Sequence, residues 1–231
     1  MIKAKNLYFK YEDDFALKNI NLEIKEGSFT AIIGANGSGK TTLGKHLNGL
    51  ITPLSGNVFV DGLDTKKDGL NARKKVGFVF QSFEDQIVYP IVEEDIAFGL
   101  ENLKFDNAEI SRIVNETLAK LKIVHLAKRN VNTLSLGQKQ LVALAGVLAM
   151  NPKYIVFDEP TTNLDSSNKK MIMGIIKSLN KSGITIILIT NVLEDLKYAG
   201  NIIVMKNGSI IFSDKKSKLN NKILRKAGLY D

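Results

Sequence analysis

Eight residues, Gly34-Ala35-Asn36-Gly37-Ser38-Gly39-Lys40-Thr41, combine the types and spacing needed to cradle a phosphate chain. Gly34, Gly37 and Gly39 can adopt torsions that side chains forbid, so the backbone can turn tightly and aim its N–H groups inward. Asn36 and Ser38 complete the loop, and Thr42 continues it. The loop leads into a helix-like segment, Thr42 to Leu50, whose N-terminus adds a partial positive charge where an anion would sit. Lys40 is placed to reach the β- and γ-phosphates as a point charge, and the Thr41 hydroxyl to hold Mg²⁺. An apolar run, Phe29 to Ile33, precedes the loop. Strand, glycine-rich loop and helix in this order make a P-loop, and they predict a bound nucleotide.

A second group of chemical residues lies far along the chain, in Tyr154-Ile155-Val156-Phe157-Asp158-Glu159-Pro160. An apolar strand here delivers two consecutive carboxylates at its C-terminal end, where ligands bind in open α/β sheets. Asp158 is expected to hold Mg²⁺ and Glu159 to polarise the attacking water as a general base. A third piece, Leu134-Ser135-Leu136-Gly137-Gln138, precedes an apolar helical run to Met150 and has Ser135 in the position of a helix cap.

Around these residues the pattern is that of strands alternating with helices. Short strands are predicted at Ile2 to Phe9, Ile20 to Ile24 and Phe29 to Ile33, with turn signals at Asp13-Asp14 and Glu26-Gly27. Gly56 to Asp61 gives another, and Val76 to Phe80 a buried one that stops at Gln81. From about Ile91 to Met150 the period becomes helical: Val92, Ile96, Leu100 and Leu103 share a face, as do Ile110, Val114, Leu118 and Leu121. A helix from Ser166 to Lys181, an apolar strand from Ile184 to Ile189, and a hairpin from Ile202 to Phe212 turning at Asn207-Gly208 follow. The tail from Lys215 is polar and reads as helical. Fully apolar strands between helices predict a mostly parallel sheet covered on both sides. The expected fold is α/β, a single 1–231 domain. Its core is about 1–90 and 151–231, and about 91–150 is an inserted helical lobe.

The chain has 231 residues, 44% hydrophobic and 24% charged, enough for a substantial core. With no cysteine, disulfides and thiolate metal sites are excluded. The N-terminal residues lack the apolar centre of a signal peptide, and no apolar stretch approaches the roughly 20 residues that span a bilayer. These features predict a cytoplasmic protein whose partner can still be membrane-bound. The net charge is +8, from 32 basic and 24 acidic residues. Only Arg73, Arg112, Arg129 and Arg225 are arginines, few for a protein that reads bases with guanidinium forks. The lysines read mainly as a solvated surface, with an anionic partner such as membrane headgroups or nucleic acid as the alternative.

With the three motifs in this order, the chain resembles the nucleotide-binding subunits of ATP-binding cassette (ABC) transporters, whose signature is Leu-Ser-Gly-Gly-Gln where this chain has Leu134 to Gln138. That resemblance implies a RecA-like P-loop NTPase core with an N-terminal antiparallel β subdomain, and ATP with Mg²⁺ as cofactors. Tyr11 matches the aromatic residue that stacks on adenine, with Tyr8 and Phe9 as neighbouring alternatives. Gln81 matches the glutamine that touches Mg²⁺ and the attacking water and senses the membrane partner. Asn163-Leu164-Asp165 matches the D-loop at the dimer interface. Ser135, Gly137 and Gln138 would reach the γ-phosphate held by an opposite subunit, so the working unit implied is a dimer. Phe80 to Pro90, Val92 to Gly99 and Leu144 to Met150 resemble the energy-coupling factor subfamily, ATPases that drive uptake of vitamins and of cobalt or nickel ions. No extra C-terminal dimerisation domain of the kind some members carry is expected after the last strand.

Two positions depart from the family pattern. Leu136 stands at the first glycine of the signature, and Asn191 stands at the switch histidine. Asparagine can donate a hydrogen bond to the γ-phosphate but carries no transferable proton or charge at neutral pH. Turnover in this chain's own site is therefore expected to be slowed, by about 10²- to 10⁴-fold. In a heterodimer the two departures fall in different sites, so a related ATPase is the expected partner, together with transmembrane subunits at the cytoplasmic face. A weakly hydrolysing ATP-binding subunit is one alternative. A soluble ABC ATPase acting on nucleic acid is another, although this chain has neither the long coiled-coil insertion nor the second cassette usual in that class, and no nucleic-acid partner is expected.

Overall fold

The most apolar strands of the chain become the centre of its larger sheet because both of their faces are covered. In the computed structural model, which describes residues 1–162 and 164–229, strands β1 (Ile2–Tyr11), β2 (Asp14–Ile24) and β3 (Phe29–Ile33) come first. Helix α1 (Lys40–Leu47) follows, then β4 (Ser55–Val60), β5 (Leu63–Asp64), α2 (Gly69–Lys75) and β6 (Val76–Val79). A helical stretch holds α3 (Val92–Asn102), α4 (Asn107–Lys120) and α5 (Leu136–Ala149). The chain then returns through β7 (Tyr154–Asp158), α6 (Ser166–Lys181), β8 (Thr185–Thr190), β9 (Asn201–Lys206), β10 (Ser209–Lys215) and α7 (Asn221–Lys226).

Six strands form one sheet in the order β10-β9-β3-β8-β7-β6. Every residue of β3, β7 and β8 is buried, as an inner parallel strand requires. The registers are parallel: Ile33 lies opposite Thr190 and Val204, and Asp158 opposite Ile189. The C-terminal ends of β3, β7 and β8 therefore emerge along one edge. Three segments remote in sequence meet there, namely the loop after Ile33, the Asp158-Glu159 pair and Asn191. Beyond β9 the chain reverses at Asn207-Gly208, both with positive φ (47° and 78°), the backbone that a two-residue type I′ hairpin demands.

The second sheet is antiparallel, β2-β1-β4-β5. Its apolar face, with Ile2, Leu7, Leu17, Ile20, Ile24, Val58 and Val60 fully buried, joins the core. Strand β2 starts at Asp14, earlier than the apolar run from Ile20, because it stays paired with β1, across several register shifts, as far as the Tyr11–Asp14 pair. Helix α2 has Ala72 as its buried residue, so no apolar stripe announced it.

The chain divides into two compact units. One holds residues 1–78, 153–159 and those from 176 onward; the other holds 79–152 and 160–175. In the second unit α3 and α4 pack on α5, burying Val92, Ile96, Leu100, Ile110, Val114, Leu118 and Leu121, the faces that the helical period predicts, with Leu103 half-buried. Among the described residues no helix is long and apolar enough to cross a membrane.

Candidate active site

The loop after β3 is shaped by a wall that is not local in sequence. A Cβ added at Gly34 would stand 2.4 Å from the Met205 carbonyl oxygen of β9 and 2.5 Å from Ser38 Oγ, so no side chain fits there. Gly37 and Gly39 hold φ of 75° and 98°, the left-handed region expected of them. The N–H of Gly208, from the β9–β10 turn, donates to the Ser38 carbonyl (3.1 Å), and the N–H of Lys18 donates to the Gly208 carbonyl (2.8 Å). Helix α1 then starts at Lys40 without a side-chain cap, leaving its first N–H groups without intrahelical acceptors.

Lys40 is buried and its Nζ donates to the carbonyls of Gly34 (2.9 Å) and Ala35 (3.1 Å). Burial lowers its pKa, against the opposing pull of Glu159 and Asp158. Thr42 is buried one turn into the helix. Ser38 Oγ is buried without a hydrogen-bond partner among the described residues. An uncapped helix start, an orphan hydroxyl and a buried ammonium facing into the loop fit a phosphate chain, which would supply the missing acceptors.

The carboxylates of β7 face this loop. Thr41 Oγ1 donates to Asp158 Oδ1 at 3.0 Å, so the two groups predicted to share a magnesium ion are already in contact. Burial raises the Asp158 pKa; Glu159 raises it further, while the Thr41 hydrogen bond, Lys45 and Lys40 pull it down. A hydroxyl in contact with a buried carboxyl, with a second carboxyl next in sequence, is an all-oxygen donor set suited to a hard divalent cation. Glu159 has φ 48°, an uncommon conformation for a residue with a side chain, held by its N–H donating to the Ile189 carbonyl (2.9 Å). At the end of β8, the exposed Asn191 donates from Nδ2 to Asn36 Oδ1 of the loop at 3.3 Å. Behind it, Thr190 Oγ1 donates to the buried Asp195 (3.1 Å) and accepts from Val192 N–H (3.0 Å), fixing the turn that presents Asn191.

Tyr11 ends β1 with half its surface exposed and Phe9 against it, while Tyr8 makes an edge contact with Phe15. In the second unit, Ser135 and Gln138 form a reciprocal capping box at the start of α5: Ser135 Oγ accepts from Gln138 N–H (3.3 Å), and Gln138 Oε1 accepts from Ser135 N–H (3.0 Å). Gly137 is buried, and a Cβ there would lie 2.6 Å from Asn168 Oδ1, so α6 demands glycine at this position independently of any ligand. Leu136 is half-exposed and, with the exposed Gln81 and with Phe83, Thr162 and Leu164, lines a depression of about 190 Å³. Asp165 caps α6, accepting from the N–H groups of Ser167 (2.8 Å) and Asn168 (2.9 Å). Asn163 lies outside the described residues.

Comparison with known proteins agrees with this geometry. The sequence profile described as ABC transporter matches residues 17–162, more than half of the chain. The energy-coupling factor transporter ATP-binding protein EcfA1 of Clostridioides difficile is 44% identical, over 99% of this chain and 86% of that protein. This chain belongs to the ABC transporter ATPase family. Among solved structures, CbiO1 of Clostridium perfringens, part of the transporter complex CbiONQ, superposes on this ABC cassette with TM-score 0.85 at 37% identity, covering 99% of this chain and 94% of that one. A dimeric ATP-binding cassette in a post-hydrolysis state with ADP and Pi gives TM-score 0.82 at 34% identity, covering 93% of this chain and 98% of that one. The chain is thus an ATP-binding, ATP-hydrolysing cassette with the expected P-loop NTPase fold.

Several residues that shape the ABC site gave no chemical signal in the sequence. Met205 and Gly208 wall the P-loop, yet Asn207-Gly208 reads only as a hairpin turn; its place beside Ser38 is set by sheet order. Asp195, Thr190 and Asn168 act on neighbours through folded contacts that no short motif encodes.

Proposed function

We propose that this cassette is the ATP-hydrolysing subunit of an energy-coupling-factor-type importer of a vitamin or transition-metal ion, bound to the cytoplasmic face of transmembrane subunits. The observation that carries this reading is the contact of Thr41 with Asp158 at 3.0 Å, which unites the P-loop with the carboxylate strand in an ABC cassette resembling EcfA1 and CbiO1. The chain acts as a single cassette, its nucleotide-binding core carrying the helical lobe as an insertion.

In this mechanism Tyr11 stacks on adenine, while Gly34, Asn36, Gly37, Ser38, Gly39 and Thr42 enclose the phosphates. Lys40 exchanges its loop carbonyls for the β- and γ-phosphates. Thr41 and Asp158 would hold Mg²⁺, which when bound would neutralise phosphate charge. Glu159, its backbone pinned at positive φ, orients and deprotonates the attacking water. Asn191 donates a hydrogen bond to the γ-phosphate but stores no proton. Ser135, Gly137 and Gln138 complete the site of an opposite subunit. ATP binding then favours the closed dimer, and cleavage releases it.

The favoured partner is a second, related ATPase. Asn191 weakens the site built on this chain's own P-loop, whereas Leu136 faces the nucleotide of the other subunit, so a companion with histidine and glycine at these positions leaves one site intact on each count. Asn191 also favours a second reading, in which this chain mainly holds ATP while its companion hydrolyses it. Co-purification from native membranes is expected to yield transmembrane subunits and such a companion. A purified homodimer hydrolysing ATP as fast as a histidine-containing relative would refute the impaired site.

A further inference from the structure

The base end of the site contains a brace that phosphate chemistry does not use. Tyr11, half-exposed at the end of β1, would by itself be a mobile platform, and ordering it on binding would weaken affinity. It is not alone. The Phe9 ring meets Tyr11 edge-on, with centroids 4.9 Å apart and planes at 86°. Phe9 also meets the imidazole of His46, at 4.7 Å and 69°. Both geometries are the edge-to-face arrangement that ring quadrupoles favour.

His46 is the fixed end of this row. It has no exposed surface, and its Nδ1–H donates to the Thr42 carbonyl at 2.7 Å. It belongs to α1, the helix whose first residue is Lys40. Three rings thus run continuously from the exposed Tyr11 to the helix that carries the phosphate-binding lysine, all within one compact unit.

We propose that Phe9 and His46 are positioning residues that hold the adenine-stacking face of Tyr11 in register with α1, so that base and triphosphate are received at a fixed separation. This rests on the reading of Tyr11 as the adenine platform. Neither Phe9 nor His46 touches the nucleotide in this scheme; each acts through the next ring.

The test is calorimetric titration of the full chain with two ligands, ATP and inorganic tripolyphosphate, which lacks the base. Tyr11→Ala and Phe9→Leu are each expected to weaken ATP by about 3- to 10-fold and to leave tripolyphosphate unchanged. The double variant should bind ATP no more weakly than Tyr11→Ala alone, because Phe9 acts only through Tyr11. His46→Phe, which keeps a ring, should retain ATP affinity where His46→Leu loses it, with thermal melts confirming that both are folded. The brace is overturned if Phe9→Leu leaves ATP binding intact, weakens both ligands alike, or adds fully to Tyr11→Ala. If Tyr11→Ala itself leaves ATP binding intact, the platform reading fails and the brace with it, an outcome distinct from the loss of the brace alone.

Discussion

Gly34→Ala tests whether the P-loop is shaped by the β9 wall or only by its own glycines. The added methyl would lie 2.4 Å from the Met205 carbonyl oxygen and 2.5 Å from Ser38 Oγ, against about 3.3 Å for a close C···O contact. Roughly 0.9 Å of separation must be found. Strand β9 cannot readily supply it, being registered with β3 on one side (Ile33 with Val204) and β10 on the other (Met205 with Ile210). The loop must move instead. A displacement of about 1 Å in a positioning element costs about 10²-fold, and overpacking costs about 1–3 kcal/mol of stability. Gly37→Ala is the internal comparison: its methyl meets nothing within 4 Å, and its φ of 75° costs only about 1–2 kcal/mol of local strain. The assay is ATP affinity by calorimetry, with urea unfolding measured in parallel. Gly34→Ala should lose about 10²-fold in affinity and Gly37→Ala distinctly less. If Gly34→Ala binds ATP within about threefold of the parent, or Gly37→Ala is the more damaging, the wall does not set the loop.

Asn191→His should raise kcat in the assembled transporter by about 10²-fold with little change in KM, because it restores a proton-handling group; an unchanged kcat means that Asn191 does not limit turnover. Asp61 accepts from the Met1 ammonium and the Tyr154 hydroxyl and pairs with Lys153 at 3.1 Å. Burial pushes its pKa up, but these partners outweigh it and hold the carboxyl well below 3.8. Its contribution is present above that value and is lost as pH falls through the depressed folded pKa. Asp61→Asn should cost about 1–3 kcal/mol at neutral pH in urea titrations and much less under acid conditions. Burial lowers the His46 pKa from 6.5, against the Thr42 and Thr52 carbonyls. The folded protein resists a proton that the unfolded chain accepts, so stability should fall as pH drops below 6.5, by at most about 1.4 kcal/mol per pH unit. His46→Gln, compared at pH 7.5 and 5.5, should lack that component; an unaltered pH dependence would assign it elsewhere.

How much was legible depended on how strongly each segment's own side chains committed it. Phe29 to Ile33 and Ser166 to Lys181 could be delimited from sequence because a mostly apolar run in one and a helical pattern in the other end at glycine or capping residues. The Ser135–Gln138 cap was equally local. The start of β2 and the whole of α2 were not legible, since their exposed, charged residues are held by neighbours and not by an apolar pattern. The same division runs through the site. Lys40, Thr41, Asp158 and Glu159 were expected at the site because their motifs state their chemistry. Met205, Gly208, Thr190 and Asp195 were not, because hydroxyls, carboxylates and backbone groups acquire such roles only from their neighbours.

A P-loop, a carboxylate strand and a capped signature helix, and through their order the ABC family, are written in short runs of the chain. Those properties reside in runs of a few residues, where glycine torsions, apolar period and charge suffice. That Thr41 touches Asp158, that Asn191 leans on Asn36, and that Gly34 is pressed by β9 follows from folding alone. Each depends on the parallel register of β3 with β8 and β9 and of β7 with β8. Strand pairing is chosen by the burial of whole faces, to which no short segment has access.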